Sequence, residues 1–115
     1  MSYYYLKEVD CMKQFSELLE RSYLSARNLI EKAFDADENE RDDYIRRLNE
    51  THDLIMNYIM KGPGCYLCLP SYIHEREVAS MICSNLAMAN IMLSENWLDD
   101  RDKFIKWDVC EKYFK

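Results

Sequence analysis

Apolar residues recur along the chain with the three-and-four spacing of amphipathic helices. The first such pattern spans residues 7–34, where apolar positions form one stripe and polar residues occupy most of the rest. A second pattern follows residues 35–39 and continues to about residue 61, and a third spans about residues 71–95. A shorter fourth helix is predicted to start near Asp99, because Asp99, Asp100 and Asp102 suit the positive end of a helix.

The third pattern contains a segment, residues 78–93, that has no charged residue. On a helix its apolar side chains would point in most directions, so we expect neighbours nearly all the way round. The segment is shorter than the roughly 20 apolar residues that a membrane-spanning helix needs. This uncharged segment is therefore predicted to lie at the centre of the fold.

The breaks between these patterns are short. Residues 35–39 interrupt the first two, and Asp37 or Asn39 is expected to cap the second helix. Residues 62–64, Gly-Pro-Gly, end the second helix because proline lacks a backbone donor. Few glycines and short connections predict an all-α fold, an antiparallel four-helix bundle with three long helices and a shorter C-terminal one, forming a single domain over residues 1–115.

The N-terminal residues are expected to differ from the rest. Tyr3, Tyr4 and Tyr5 are consecutive, and we predict an extended arm laid over a groove rather than a helix. Tyrosine combines a large contact area with a low entropy cost, so this arm could also supply anchors at an interface.

Antiparallel order would bring the first and third connections to the same end of the bundle. That end would be strongly acidic. The acidic residues concerned are Asp35, Asp37, Glu38, Glu40, Asp42, Asp43, Glu95, Asp99, Asp100 and Asp102.

The formal charge of the chain is −6 and its pI is about 4.9. A negative field disfavours direct binding to nucleic acid or to anionic membranes, and it attracts a basic protein. The N-terminus has no basic start followed by an apolar run, so no secretory signal is predicted. The expected location is the cytoplasm.

Cys65 and Cys68 have the spacing of half a zinc site. Counted at about 1.5 Å per residue from the acidic end, Cys11 and His74 come level with this pair in the predicted bundle. A zinc site formed by Cys11, Cys65, Cys68 and His74 is therefore an alternative hypothesis. In it, zinc would stabilise the bundle or take part in chemistry.

Evidence for an enzyme is restricted to one arrangement. His52 lies on the apolar stripe of the second helix, level with Cys83 and Cys110, so a Cys–His pair in a pocket between helices is a third hypothesis. A buried, hydrogen-bonded histidine is the preferred interpretation of His52. No phosphate-binding loop, nucleophile elbow or zinc-protease motif occurs in the sequence.

The sequence thus favours a non-enzymatic protein interaction module, an inhibitor or adaptor that occupies a basic surface of its partner. Its compact acidic composition is similar to that of phage-borne inhibitors that block basic nucleic-acid-binding grooves. A homodimer is compatible with the sequence. The predicted contact residues are Asp37, Glu38, Glu40, Asp42, Asp43, Asp99, Asp100, Tyr3, Tyr4 and Tyr5.

Overall fold

All regular structure in the described part of the chain is helical. The computed structural model describes residues 3–57 and 73–115, with side chains from residue 13 onward in the first range. No strand occurs in these residues, so the all-α prediction is confirmed. The elements are α1 (Tyr3–Asp35), α2 (Glu38–Ile55), α3 (Ile73–Glu95), a 3-10 turn (Leu98–Asp100) that leads directly into α4 (Arg101–Phe104), and α5 (Asp108–Tyr113).

Helix α1 is longer at its N-terminus than the sequence pattern predicted. It begins at Tyr3, so the backbone of Tyr3, Tyr4 and Tyr5 is helical and the prediction of an extended arm is wrong. Lengthening an existing helix needs no new nucleus, and tyrosine costs less than about 1 kcal/mol relative to alanine in a helix. Continuation of α1 therefore outweighs the weak local preference of these residues for extended backbone.

The uncharged segment lies at the centre of the helices, as predicted. Helix α3 contacts α1, α2, α4 and α5, and α1 also contacts α2. In α3, the side chains of Val78, Ile82 and Leu86 have no exposed surface. The facing helices contribute the buried residues Phe15, Leu19, Tyr23, Ala26, Ile30, Ala33, Leu48, Ile55 and Cys110.

Helix α2 buries a narrower stripe than its sequence pattern predicted. Leu48 and Ile55 are buried, but the side chain of His52 is 30% exposed. Its Nδ1 lies 3.4 Å from Asp53 Oδ1, and no tyrosine or serine partner is found in the described residues. The expectation of a buried His52 is wrong, because His52 lies at the edge of the apolar stripe rather than on it.

The sequence predicted one short C-terminal helix, but the C-terminal region forms two separate helices, α4 and α5. Helix α4 ends at Phe104, and Ile105 is extended, with φ −107° and ψ 109°. Ile105 and Trp107 pack against the core, while Asn85 Nδ2 donates to the carbonyl oxygen of Lys106 at 2.8 Å. These tertiary contacts therefore stabilise the extended residues between α4 and α5.

The end of α3 directs the chain towards the start of α2. Asn96 has φ 61°, and Trp97 N donates to Met92 O at 2.8 Å, which is the long hydrogen bond of a Schellman motif. Asparagine tolerates this left-handed backbone better than most residues. The following turn therefore reverses sharply and places residues 97–102 beside the connection between α1 and α2.

None of the described helices combines the length and the apolar character needed to cross a bilayer.

Candidate protein interaction surface

Two acidic segments that are far apart in sequence meet at one end of the molecule. Arg41 Nη1 donates to Asn96 Oδ1 at 3.2 Å, and Arg101 Nη1 lies 3.9 Å from Asp35 Oδ1. The Arg101 guanidinium also lies over the Phe34 ring, 5.6 Å from its centre. These contacts join residues 35–43 to residues 95–103, and we call the two segments together the acidic end.

The acidic end contains the negative excess of the whole chain. Residues 35–43 and 95–103 include ten carboxylates and three basic residues, a charge of −7, whereas the full chain has −6. The remaining residues therefore sum to +1. Charge is separated along the molecule, so its field should be directional rather than uniform.

Some of these carboxylates are already paired with basic side chains of the same molecule. Asp43 accepts from Arg46 Nη2 at 2.6 Å and contacts Arg47 Nε at 3.0 Å. The hydrogen bond from Arg46 lowers the pKa of Asp43, with both guanidinium charges acting in the same direction. Asp100 lies 3.8 Å from Lys103. These carboxylates are partly neutralised and contribute less to an external field.

The other carboxylates are exposed and form no ion pair with the described residues. Asp37 stands at the N-cap position of α2, as predicted, but its side chain makes no capping hydrogen bond. Its carboxylate is consequently left for other partners. The exposed carboxylates without an internal ion pair are Asp37, Glu38, Glu40, Asp42, Glu95, Asp99 and Asp102.

The exposed carboxylates are spread over the surface rather than gathered at a point. Within residues 3–57 and 73–115, no three His, Cys, Asp or Glu side chains are placed so that they could hold a metal ion. A spread of carboxylates matches a spread of arginine and lysine side chains better than a single cation.

The zinc hypothesis falls largely outside the described residues. Cys65, Cys68 and the side chain of Cys11 lie there, and only His74 can be placed. The His74 side chain is 81% exposed, with Nδ1 4.0 Å from Glu77 Oε2.

A zinc site at these residues remains a prediction with a direct test. The hypothesis predicts about one zinc ion per chain when protein purified without added zinc is analysed by inductively coupled plasma mass spectrometry. Cys65→Ser with Cys68→Ser should abolish that zinc and lower the melting temperature. A chain without metal, whose melting temperature survives the double substitution, would reject the hypothesis.

The two described thiols lie in an environment that opposes nucleophilic chemistry. Burial raises the pKa of both Cys83 and Cys110 to about 11. Cys110 Sγ donates to the carbonyl oxygen of Val78 at 3.9 Å. A catalytic cysteine requires a lowered pKa and an adjacent base, and His52 is a half-exposed neighbour of Asp53. This environment gives the enzyme hypothesis no support.

Tyr113 takes part in internal packing. Its hydroxyl lies 3.1 Å from Ser16 Oγ and donates to Glu75 Oε1 at 3.2 Å. Burial raises its pKa, and its ring packs edge-on against Phe114. The side chains of Tyr3, Tyr4 and Tyr5, the predicted anchors, lie outside the described residues.

The sequence interpretation missed the contacts that hold the C-terminal pieces. Tyr23 stacks on Phe114, with ring centroids 5.2 Å apart, and meets the Trp107 ring edge-on at 5.5 Å. Arg27 Nη1 donates to Glu111 Oε1 at 2.9 Å. The only signal in the sequence is the seven-residue spacing of Trp107 and Phe114, which places both rings on one helical face.

The chain was compared with known proteins. No protein-family model, no curated protein and no solved structure matches it.

Proposed function

We propose that this chain is a non-enzymatic protein interaction module whose acidic end occupies a basic surface of a partner protein. The observation that supports it is the set of exposed carboxylates in residues 35–43 and 95–103 that have no ion pair with the described residues. Such carboxylates lose little internal stabilisation when a partner's arginine or lysine approaches.

The proposed arrangement of helices is antiparallel, as in an up-and-down bundle. Two hydrogen bonds support this order for α2 and α3. Arg41, near the start of α2, bonds to Asn96 beyond the end of α3, while Ile45 O, further along α2, accepts from Asn90, which is earlier in α3. In this order, the two acidic segments form one continuous surface.

A surface of this kind would act by occupation. Opposite charge accelerates encounter and selects against acidic competitors, and close pairs at the interface slow dissociation. A partner with a basic nucleic-acid-binding groove fits this chemistry, and its nucleic acid would compete for the same groove. The proposed role is thus an inhibitor or adaptor, in keeping with the compositional similarity to phage-borne inhibitors.

Charge reversal at the acidic end should strongly reduce partner capture. We expect Glu38→Lys, Glu40→Lys and Asp42→Lys in one variant to reduce the captured partner by about tenfold or more, since three contacts at about 0.5 kcal/mol or more each are lost and repulsion is added. Asp43 is left unchanged, because its substitution would also remove an ion-pair partner of Arg46 and Arg47. Co-purification from lysate at low salt, quantified by mass spectrometry, provides the measurement.

The control changes the net charge equally on another surface. Glu17, Glu20 and Glu77 are exposed and distant in sequence from the acidic end, so lysine at these positions should reduce capture by less than about twofold. Equal loss in both variants would indicate a nonspecific effect of net charge. Unchanged capture by the acidic-end variant would reject the proposal.

A further inference from the structure

A groove runs between α1 and α2 and shares no lining residue with the acidic end. It consists of two adjoining depressions of about 380 and 370 Å³ that share Ser25, Thr51 and Leu54. Along α1 it extends from Leu18 to Lys32, a distance of about 21 Å at 1.5 Å per residue. This length accommodates about four turns of a bound helix, whose pitch is about 5.4 Å.

The part of the groove around Leu18, Leu54 and Ile55 is apolar, whereas the part towards Lys32 is lined mainly by polar side chains. Leu54 is 54% exposed, and Leu18 and Leu29 are half-buried along the same line. Ser22 and Ser25 are small residues between them, so another backbone could approach α1 closely. Partly exposed leucines separated by small residues are what an amphipathic helix needs in order to place its own apolar side chains in a groove.

The rim of the groove is basic, in contrast to the chain as a whole. Arg21 and Lys32 are exposed and have no ion pair with the described residues. Arg47 also lines the groove but contacts Asp43 at 3.0 Å, while the lining residue Glu50 is paired with Arg46 at 2.8 Å. The two uncompensated charges are therefore both positive, and they lie about 16 Å apart along α1 at 1.5 Å per residue.

We propose that this groove binds an amphipathic helix of a partner protein that presents apolar residues at i, i+4 and i+7 and is flanked by Asp or Glu. The apolar face would cover Leu18 and Leu54, and the flanking carboxylates would pair with Arg21 and Lys32. A second copy's acidic end does not meet this description. Residues 35–43 contain one apolar residue, Ala36, and residues 95–103 contain only the adjacent pair Trp97 and Leu98, which cannot supply the i, i+4 and i+7 spacing. The chain would then have two surfaces of opposite charge preference.

A displayed library of helical peptides provides the test of this proposal. The library consists of 16-residue peptides with Leu, Ile or Ala at the apolar positions and an equal mixture of Glu, Lys and Gln at the flanking ones. Selection on the full chain is expected to enrich Glu over Lys at the flanks by about fivefold or more. Selected peptides should bind with a Kd that rises at higher salt.

Matched substitutions locate the binding site. Leu54→Asp should weaken the selected peptides at least tenfold, whereas Leu24→Asp, at an equally exposed leucine that does not line the groove, should change Kd less than twofold. Arg21→Glu with Lys32→Glu should reverse the flank preference so that selection enriches Lys. Retained folding of each variant is checked by circular dichroism.

Three outcomes would overturn the proposal. One is the absence of any enriched helical peptide on folded protein. Another is the enrichment of peptides with basic or neutral flanks, or of peptides that the Leu54→Asp variant binds as tightly as the parent chain does. The third is self-association of the chain, measured by sedimentation, that Leu54→Asp disrupts, since a second copy would then cover the groove. None of these outcomes depends on the acidic end, so the two proposals can fail separately.

Discussion

Replacing Leu86 by alanine is expected to destabilise the fold by about 2–5 kcal/mol. Leu86 has no exposed surface and lies in the middle of α3, the helix that contacts all the others. The substitution removes buried methyl groups and leaves a cavity, because neighbours from several helices cannot all move inward together. Since a domain of this size is stable by only about 5–15 kcal/mol, the loss would be a large fraction of the total.

The matched control is Leu24→Ala on α1. Leu24 is 56% exposed, so the same chemical change should cost less than about 1 kcal/mol. Urea denaturation followed by circular dichroism measures both variants, with the slope of the transition compared to detect changes in the unfolded state. Equal destabilisation by the two substitutions would contradict the central position of α3.

The long helices could be predicted because their apolar spacing is a local property of the sequence. On α1, the stripe through Leu19, Tyr23, Ala26, Ile30 and Ala33 is buried as expected. The absence of charge in residues 78–93 likewise indicated a helix with neighbours on most sides. In both regions, helical periodicity and burial agree, so one pattern determines both.

The errors occur where tertiary contacts decide between similar local energies. The interruption between α4 and α5 depends on the Asn85–Lys106 hydrogen bond and on the packing of Trp107, which involve residues far apart in sequence. The burial of His52 was predicted wrongly, because a residue at the edge of an apolar stripe has the same sequence spacing as a residue inside the stripe. Neither outcome can be derived from periodicity alone.

The candidate surfaces show a similar division. Composition identified the acidic segments, but the sequence did not distinguish Asp43, which is paired with two arginines, from Asp42, which is exposed and forms no ion pair with the described residues. The groove between α1 and α2 was not foreseen. Its rim includes Arg21 and Lys32, which the sequence interpretation treated only as part of a solvated helix face.

Separation of charge gives the molecule two different electrostatic surfaces. The acidic end contains more negative charge than the chain has in total, so the remaining surface is close to neutral with local positive charge. Under the two proposals, the acidic end attracts a basic partner and the groove between α1 and α2 attracts an acidic helix. The two fields act independently, because screening at physiological salt limits each field to about 8 Å. Partner choice would then depend on local side chains rather than on the net charge.

The buried amide of Asn85 leads to a prediction that depends on pH. Asn85 is 5% exposed, and its Nδ2 donates to Lys106 O at 2.8 Å. Asn85→Asp replaces that donor by an acceptor of nearly identical shape, so a carboxylate oxygen would face a carbonyl oxygen. At pH 7 this variant is expected to lose about 3–5 kcal/mol, the usual cost of an unpaired buried charge.

The penalty should shrink as the pH falls. Burial and the facing carbonyl raise the pKa of the new carboxyl in the folded state above the value of about 3.9 in the unfolded chain. The folded state therefore takes up its proton first, and the variant gains stability relative to the parent by up to about 1.4 kcal/mol per pH unit. The gain begins at the folded-state pKa and is complete near pH 4, where the protonated carboxyl can again donate to Lys106 O.

Denaturation at a series of pH values measures this effect, with each variant compared with the parent at the same pH. Asn49→Asp provides the control, because Asn49 is exposed on α2 and its substitution should cost less than about 0.5 kcal/mol at every pH. Asn85→Ala separates loss of the hydrogen bond from burial of charge, and its penalty should not vary with pH. A constant penalty in Asn85→Asp would show that the new carboxylate reaches water, and that the Lys106 carbonyl does not depend on a dry contact with α3.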